Sequence, residues 1–212
     1  MEENNRAYIM QMIAGDEAAF DEVYRSCSGK LYRMAYFITG SRSDSEDVLQ
    51  ETFVKCFLHR KELKDPERFD SWICQILVRT AWRFMKRKKG RGELSYDGIL
   101  ECEADTGMAE RIRRDTGSTG EEPLQKVMES EQAEELWRAV GGLDVRYRTV
   151  ILLYYYNDYS IRQIARMTGT LEGTVKSRLH KARSLLKNQL LKETAGQKEA
   201  ESKGKNRRFC HE

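Results

Sequence analysis

The run Gly173-Thr174-Val175-Lys176-Ser177-Arg178-Leu179-His180-Lys181-Ala182-Arg183 holds the densest set of side chains able to do chemistry in this sequence. At about 100° of turn per residue, Val175, Leu179, Ala182 and Leu186 share one helical face, while Ser177, His180, Lys181 and Ser184 point the other way. Small donors at the start of such a helix, flanked by Lys176, Arg178 and Arg183, suit hydrogen bonds to base edges and contacts to phosphates. A solvated helix surface would carry similar charge, so the neighbouring elements must decide.

Those elements are two short helices with a tight turn between them. Asp144 can cap a helix carrying Val150, Ile151, Leu153 and Tyr154, and Asn157-Asp158 breaks it. Ser160 can cap a second helix through Ile161, Ile164, Ala165 and Met167, which Gly169 can end in the left-handed conformation. The helix from Thr174 follows almost at once, giving the spacing of a helix-turn-helix whose last helix can lie in the major groove.

The first half carries two further sets. In the stretch Ser71 to Lys89, Trp72, Ile73, Ile76, Leu77, Ala81 and Phe84 form a core stripe, which leaves Gln75, Arg79, Trp82, Arg83 and Lys86 on the far side. A tryptophan between arginines on an outer face suits stacking on bases and neutralisation of phosphates. Earlier, Ser43-Asp44-Ser45-Glu46 fits a capping box with acids in the first turn, and Val48, Leu49, Thr52, Phe53, Cys56 and Phe57 form the buried stripe. Capping leaves the outward Gln50 and Glu51, beside Asp47 and Lys55, without an explanation.

The bulk properties frame these sets. With 40% hydrophobic and 33% charged residues over 212 positions, the chain can build a packed core, and a net charge of only +3 means that a nucleic-acid role depends on where charge sits. The five cysteines, Cys27, Cys56, Cys74, Cys102 and Cys210, form no C-x-x-C pair, which points to reduced thiols in a cytoplasmic protein. No apolar run approaches the roughly 20 residues that span a bilayer, so neither an export signal nor membrane insertion is expected. The two prolines and the three- and four-residue apolar spacing predict an all-α chain of two helical domains. Residues 1–90 form the first, with four helices around one core from Asp16 to about Lys89; residues 131–192 form the second. The polar, Gly-rich stretch 91–130 reads as a flexible linker and the charged stretch 193–212 as a disordered tail.

No phosphate-binding loop, H-E-x-x-H pair or nucleophile elbow occurs, and an enzyme is not expected. A metal-dependent nuclease would have to gather Asp44, Glu46, Asp47, Glu51 and His59, and capping already accounts for the acids of the first turn. No catalytic residue, cofactor or metal is assigned. A duplex-binding regulator that works without polymerase, and a protein whose helical domains bind each other or a protein partner, remain open on the residues alone.

The motifs bear a specific resemblance. Tyr147 to Arg183, with Tyr159-Ser160-Ile161-Arg162-Gln163-Ile164-Ala165 and the basic run above, resembles region 4 of the sigma factors that direct RNA polymerase. Asp44-Ser45-Glu46-Asp47-Val48-Leu49-Gln50-Glu51-Thr52-Phe53 resembles region 2.2, and Phe69 to Arg83 resembles regions 2.3 and 2.4. The two matches cover about residues 16–89 and 131–188, with no region 3 between them, as in the small extracytoplasmic-function group. The resemblance implies that Thr174, Lys176, Ser177, Arg178, His180 and Lys181 contact the minus-35 promoter element. It implies that Phe69, Gln75, Arg79, Trp82, Arg83 and Lys86 act at the minus-10 element, with a flipped base held near the loop Leu63 to Asp70 and Lys86 to Lys89 gripping the backbone. Asp44, Asp47, Gln50 and Glu51 would dock on the polymerase beta-prime clamp helices, and the helix before the turn on the beta flap. The implied partners are core RNA polymerase and promoter DNA, duplex and single-stranded, with room for an anti-sigma factor. Trp82 departs from the family, which commonly carries a polar residue near that position.

Overall fold

The computed structural model describes residues 3–90 and 131–207, with side chains over 5–90 and 136–191. The expected linker at 91–130 lies outside the described residues. Every element is helical among the described residues, and the chain is all-α with two helical domains.

The first domain opens with a helix that sequence reading did not separate from the polar terminus: α1, Glu3–Ala14, turns at Gly15 (φ 107°) and folds back on α2, Glu17–Thr39. Ile9 and Met12 of α1 are fully buried, so three- and four-residue apolar spacing held a helix in place here too. Two of the four helices expected between Asp16 and Lys89 are one. Asp16 caps α2 by accepting from the Ala19 N–H, and the helix runs unbroken to Gly40, which takes the left-handed conformation at φ 73°. Helix α3, Arg42–His59, starts two residues earlier than the expected capping box: Ser41, not Ser43, accepts from the Asp44 N–H. Ser45 is consequently buried, with its hydroxyl 2.7 Å from that of Thr39. Two short 3-10 turns, Arg60–Glu62 and Pro66–Arg68, lead into α4, Phe69–Gly90.

In the second domain, α5 (Glu131–Gly141) precedes α6 (Val145–Ile151), whose cap is Asp144 as expected. Helix α6 continues as a π-helical turn, Leu152–Tyr156, and stops where Asp158 enters the left-handed region at φ 53°. The next helix, α7 (Ile161–Thr168), has a full capping box between Ser160 and Gln163 and ends on Gly169 at φ 64°. Helix α8 then runs from Glu172 to Arg207, into the stretch expected to be a tail.

The two domains are packed on each other, a contact that the expectation of two domains and a linker did not include. Helix α4 lies against α7 and the end of α2 against α6, and one apolar cluster runs continuously through both domains. Phe37 of α2 stacks on Trp137 of α5 at 4.4 Å between ring centroids. Arg148, 4% exposed, donates to the Gly141 carbonyl within its own domain and to the Ile38 carbonyl across the interface, both at 2.7 Å. Asn157 reaches Met34, and the Tyr159 hydroxyl donates to the Cys74 sulfur at 3.3 Å. These bonds satisfy polar groups that contact between the domains removes from water.

Candidate nucleic-acid interface

Helix α8 has the two faces its sequence implies. Val175, Leu179, Ala182 and Leu186 are buried, and Lys176, Ser177, His180 and Lys181 are exposed on the opposite side. Thr174 is half-buried at the helix start, where its carbonyl accepts from the Ser177 hydroxyl at 2.9 Å. Arg183 is held from the side, its Nε donating to the Tyr155 hydroxyl at 2.7 Å with the guanidinium 5.5 Å from that ring's centre. This geometry leaves two lysines and a histidine facing outward beside the Ser177 hydroxyl, whose proton is held by the Thr174 carbonyl.

Arg178 is different. It is half-buried, with its guanidinium 5.6 Å from the centre of the Trp82 ring on α4. Burial, and then the nearby Arg146 charge, draw its pKa below the ordinary arginine value.

On α4 the far-side set is divided. Arg83 and Lys86 are exposed. Gln75 and Arg79 both donate to the Arg166 carbonyl at 3.2 Å, in the last turn of α7, where that carbonyl otherwise has only a long 3.4 Å bond from the Gly169 N–H and a cation is favoured. Trp82, expected on an outer face, is half-buried: its indole Nε1–H donates to the Thr149 Oγ1 of α6 at 3.0 Å. The second domain supplies the cover, which no single helix can reveal. Phe69 is a plainer correction, since at 1% exposure it is a core anchor at the start of α4 with no surface for a base.

The acidic set on α3 is also divided. Asp47 and Gln50 are exposed, and Glu51 is half-buried beside Lys55 and 3.5 Å from Arg87. Burial alone would raise the Glu51 pKa, but the hydrogen bond and charge of Lys55, with Arg87 and Arg83 beyond, bring it below the ordinary carboxylate value, so it stays ionised. Asp44 is buried and bound at 2.8 Å to Lys88 of α4, so it joins helices inside the domain and is not presented to a partner. Exposed Val54 and Leu58 continue the line of Asp47, Gln50 and Glu51 along α3.

The acids and histidine that a metal site would need do not converge. Glu46 pairs with Arg42, Glu51 with Lys55, and His59 with Glu62. No group of three or more candidate ligands comes together among the described residues.

Two family models match the chain: Sigma-70 region 2 over residues 23–91 and Sigma-70 region 4 over residues 133–186. The RNA polymerase sigma factor SigV of Bacillus subtilis is 30% identical over 76% of this chain and 85% of its own length. The chain belongs to the sigma-70 family. Within it, the extracytoplasmic-function (ECF) sigma factor SigW of Bacillus subtilis is 26% identical over 86% of this chain and 94% of its own length, and the ECF sigma factor SigE of Mycolicibacterium smegmatis is 29% identical over 85% of this chain. The fold agrees. CnrH, solved in complex with the cytosolic domain of CnrY, superposes with a TM-score of 0.55 at 22% identity over 88% of this chain and 96% of its own. RpoE of Bartonella quintana, solved with the anti-sigma factor NepR, gives a TM-score of 0.56 at 22% identity over 81% of this chain. This sigma factor is thus a DNA-binding initiation factor of the ECF group, whose partners are core RNA polymerase and promoter DNA. No helix among the described residues is long and apolar enough to cross a membrane.

Sequence reasoning missed the residues that join the domains: Arg148, Thr149, Arg166, Phe37 and Trp137. Trp82's departure from the family pattern was the available signal.

Proposed function

We propose that this sigma factor brings core polymerase to its promoters by reading the minus-35 element with α8 and opening the minus-10 element with α4. The observation that carries this reading is the exposed face Lys176, Ser177, His180 and Lys181 on a helix whose opposite face is wholly buried, in a chain of this family. On α4, Arg79, Arg83 and Lys86 supply phosphate contacts, with Gln75 and Trp82 beside them once the second domain has moved away. A base taken out of the stack costs a few kcal/mol, which aromatic and cationic surface must offset. Phe69 supports this face from within, and Asp44 holds Lys88 in place; neither is a direct contact.

Asp47, Gln50 and Glu51 dock on the clamp helices of the beta-prime subunit, Glu51 ionised as its surroundings dictate, and the helices before the turn meet the beta flap. An anti-sigma partner is in keeping with the complexes in which CnrH and RpoE were solved. The test is a run-off transcription assay with core polymerase and genomic fragments. The chain should produce discrete start sites, Lys181→Ala should weaken promoter choice, and Glu51→Ala should weaken holoenzyme assembly. Failure of the unaltered chain to produce any specific start would reduce it to a helix-turn-helix protein acting apart from polymerase.

A further inference from the structure

Two residues at the start of α8 weaken the fold they belong to. The helix begins at Glu172, and Leu171 holds the cap position, its carbonyl accepting from the Val175 N–H at 3.1 Å. A leucine has no oxygen to offer the free N–H groups of the first turn and is among the poorest caps. It could still serve the fold by packing on that turn. At 79% exposed it does not, and no other large apolar side chain among the described residues is as open to solvent. Gly173 follows inside the helix, although a Cβ there would meet nothing within 4 Å. Glycine lowers helix stability relative to alanine, and neither packing nor a positive φ calls for it at this point. Glu172, between the two, has an ordinary explanation as an acid in the first turn, where the helix dipole favours it.

The turn that carries Leu171 is fixed. Gly169 takes φ 64°, the Thr170 N–H donates to the Ala165 carbonyl at 3.0 Å, and the Thr168 and Thr170 hydroxyls lie 2.9 Å apart. Leu171 is thus held in the open, on a rigid support, at the end of the second helix with which helix-turn-helix proteins touch base edges. In the major groove the apolar group on a base edge is the C5-methyl of thymine. Lys176, Ser177, His180 and Lys181 supply hydrogen-bond donors on this helix; Leu171 supplies apolar surface. The side chain missing at Gly173 lets the backbone come close to a base pair.

We propose that Leu171 is a specificity-determining residue of the minus-35 contact: it packs on the C5-methyl of a thymine, while Gly173 gives the base pair room to approach. The inference rests on the assignment of α8 to promoter DNA and adds to it the chemistry of one base that α8 selects. A contact with one methyl group is worth about fourfold in affinity.

The probes are duplexes selected from a randomised pool by the full chain in complex with core polymerase. Each is remade with deoxyuridine for thymidine at one position at a time, which deletes the methyl and keeps the pairing. The parent chain should lose about fourfold in affinity on replacement at one position of the minus-35 region. Leu171→Ser should bind the thymidine duplex about fourfold more weakly and be indifferent to replacement there. The same variant gains a capping hydroxyl, so its thermal midpoint should rise by about 3 °C. A gain in stability beside a loss of recognition is the opposite of what a structural role for the leucine would give. Gly173→Ala, whose Cβ enters open space, should fold as the parent does and bind both forms of the duplex more weakly. A parent chain indifferent to every replacement overturns the proposal, as does a Leu171→Ser that keeps the parent's preference. So does a Leu171→Ser that binds core polymerase more weakly with the methyl preference unchanged, since the leucine would then face protein. A pool that yields no preferred sequence refutes the promoter assignment of α8 and this inference with it; a preferred sequence without methyl dependence refutes the inference alone.

Discussion

Arg148 offers a quantitative test of how the domains are held. Its guanidinium makes two 2.7 Å bonds, one to Gly141 and one to Ile38, at a site only 4% exposed. Hydrogen bonds to charged groups contribute about 1.5–3 kcal/mol each, so removing both forfeits roughly 3–6 kcal/mol. Against this, Arg148→Met removes the cation and with it the several kcal/mol that burying it costs, and fills the space with an apolar stem. The two carbonyls then remain without their donor at about 1–3 kcal/mol each unless water enters. The balance is a loss of about 3 kcal/mol. With a urea slope of about 2 kcal/mol per molar, the unfolding midpoint should fall by about 1.5 M. The assay is urea denaturation followed both by circular dichroism and by tryptophan fluorescence. Because Trp82 and Trp137 both lie at the interface, the fluorescence change should come at lower urea than the loss of helix, the domains parting before they melt. A midpoint within about 0.3 M of the parent chain, with coincident curves, would show that Arg148 does not join the domains in solution.

Two other expectations follow from local geometry. Ser160→Ala removes the capping box on α7 and should lower stability by about 1 kcal/mol, read as a shift of the thermal midpoint, with Ser160→Asp restoring most of it. Burial first, opposed by the Tyr159 hydrogen bond, pushes the Cys74 thiol from an ordinary value of 9.0 up to about 11. The folded chain therefore keeps a proton that the unfolded chain releases, so this contribution is complete below pH 9 and is lost progressively between about pH 9 and 11. Urea midpoints measured across that range should decline less steeply in Cys74→Ala than in the parent.

How far these features were legible in the sequence depended on how far each signal had to reach. The faces of α8, the Asp144 and Ser160 caps and the Gly169 stop follow from relations within one or two turns, and the structure has each of them. The cap of α3 was displaced because Ser41 and Ser43 are both competent, and the Thr39–Ser45 hydroxyl pair, a contact beyond the helix, favours the earlier one. Asp44 and Phe69 were read as surface because neighbouring motif residues are; Lys88, 44 residues away, makes Asp44 an internal ion pair. Trp82 is the clearest case. Its wheel position pointed away from its own core, and Thr149 and Arg178, which cover it, belong to a domain no periodicity in α4 can describe.

The separation of Trp82 and Thr149 along the chain has a consequence for newly made protein. The two are 67 residues apart, and at about 5–20 residues per second the ribosome needs roughly 3–13 s to pass from one to the other. Every copy therefore spends seconds of its birth with the α4 surface uncovered, a window in which the nascent first domain could be captured by polymerase before its own second half exists to compete.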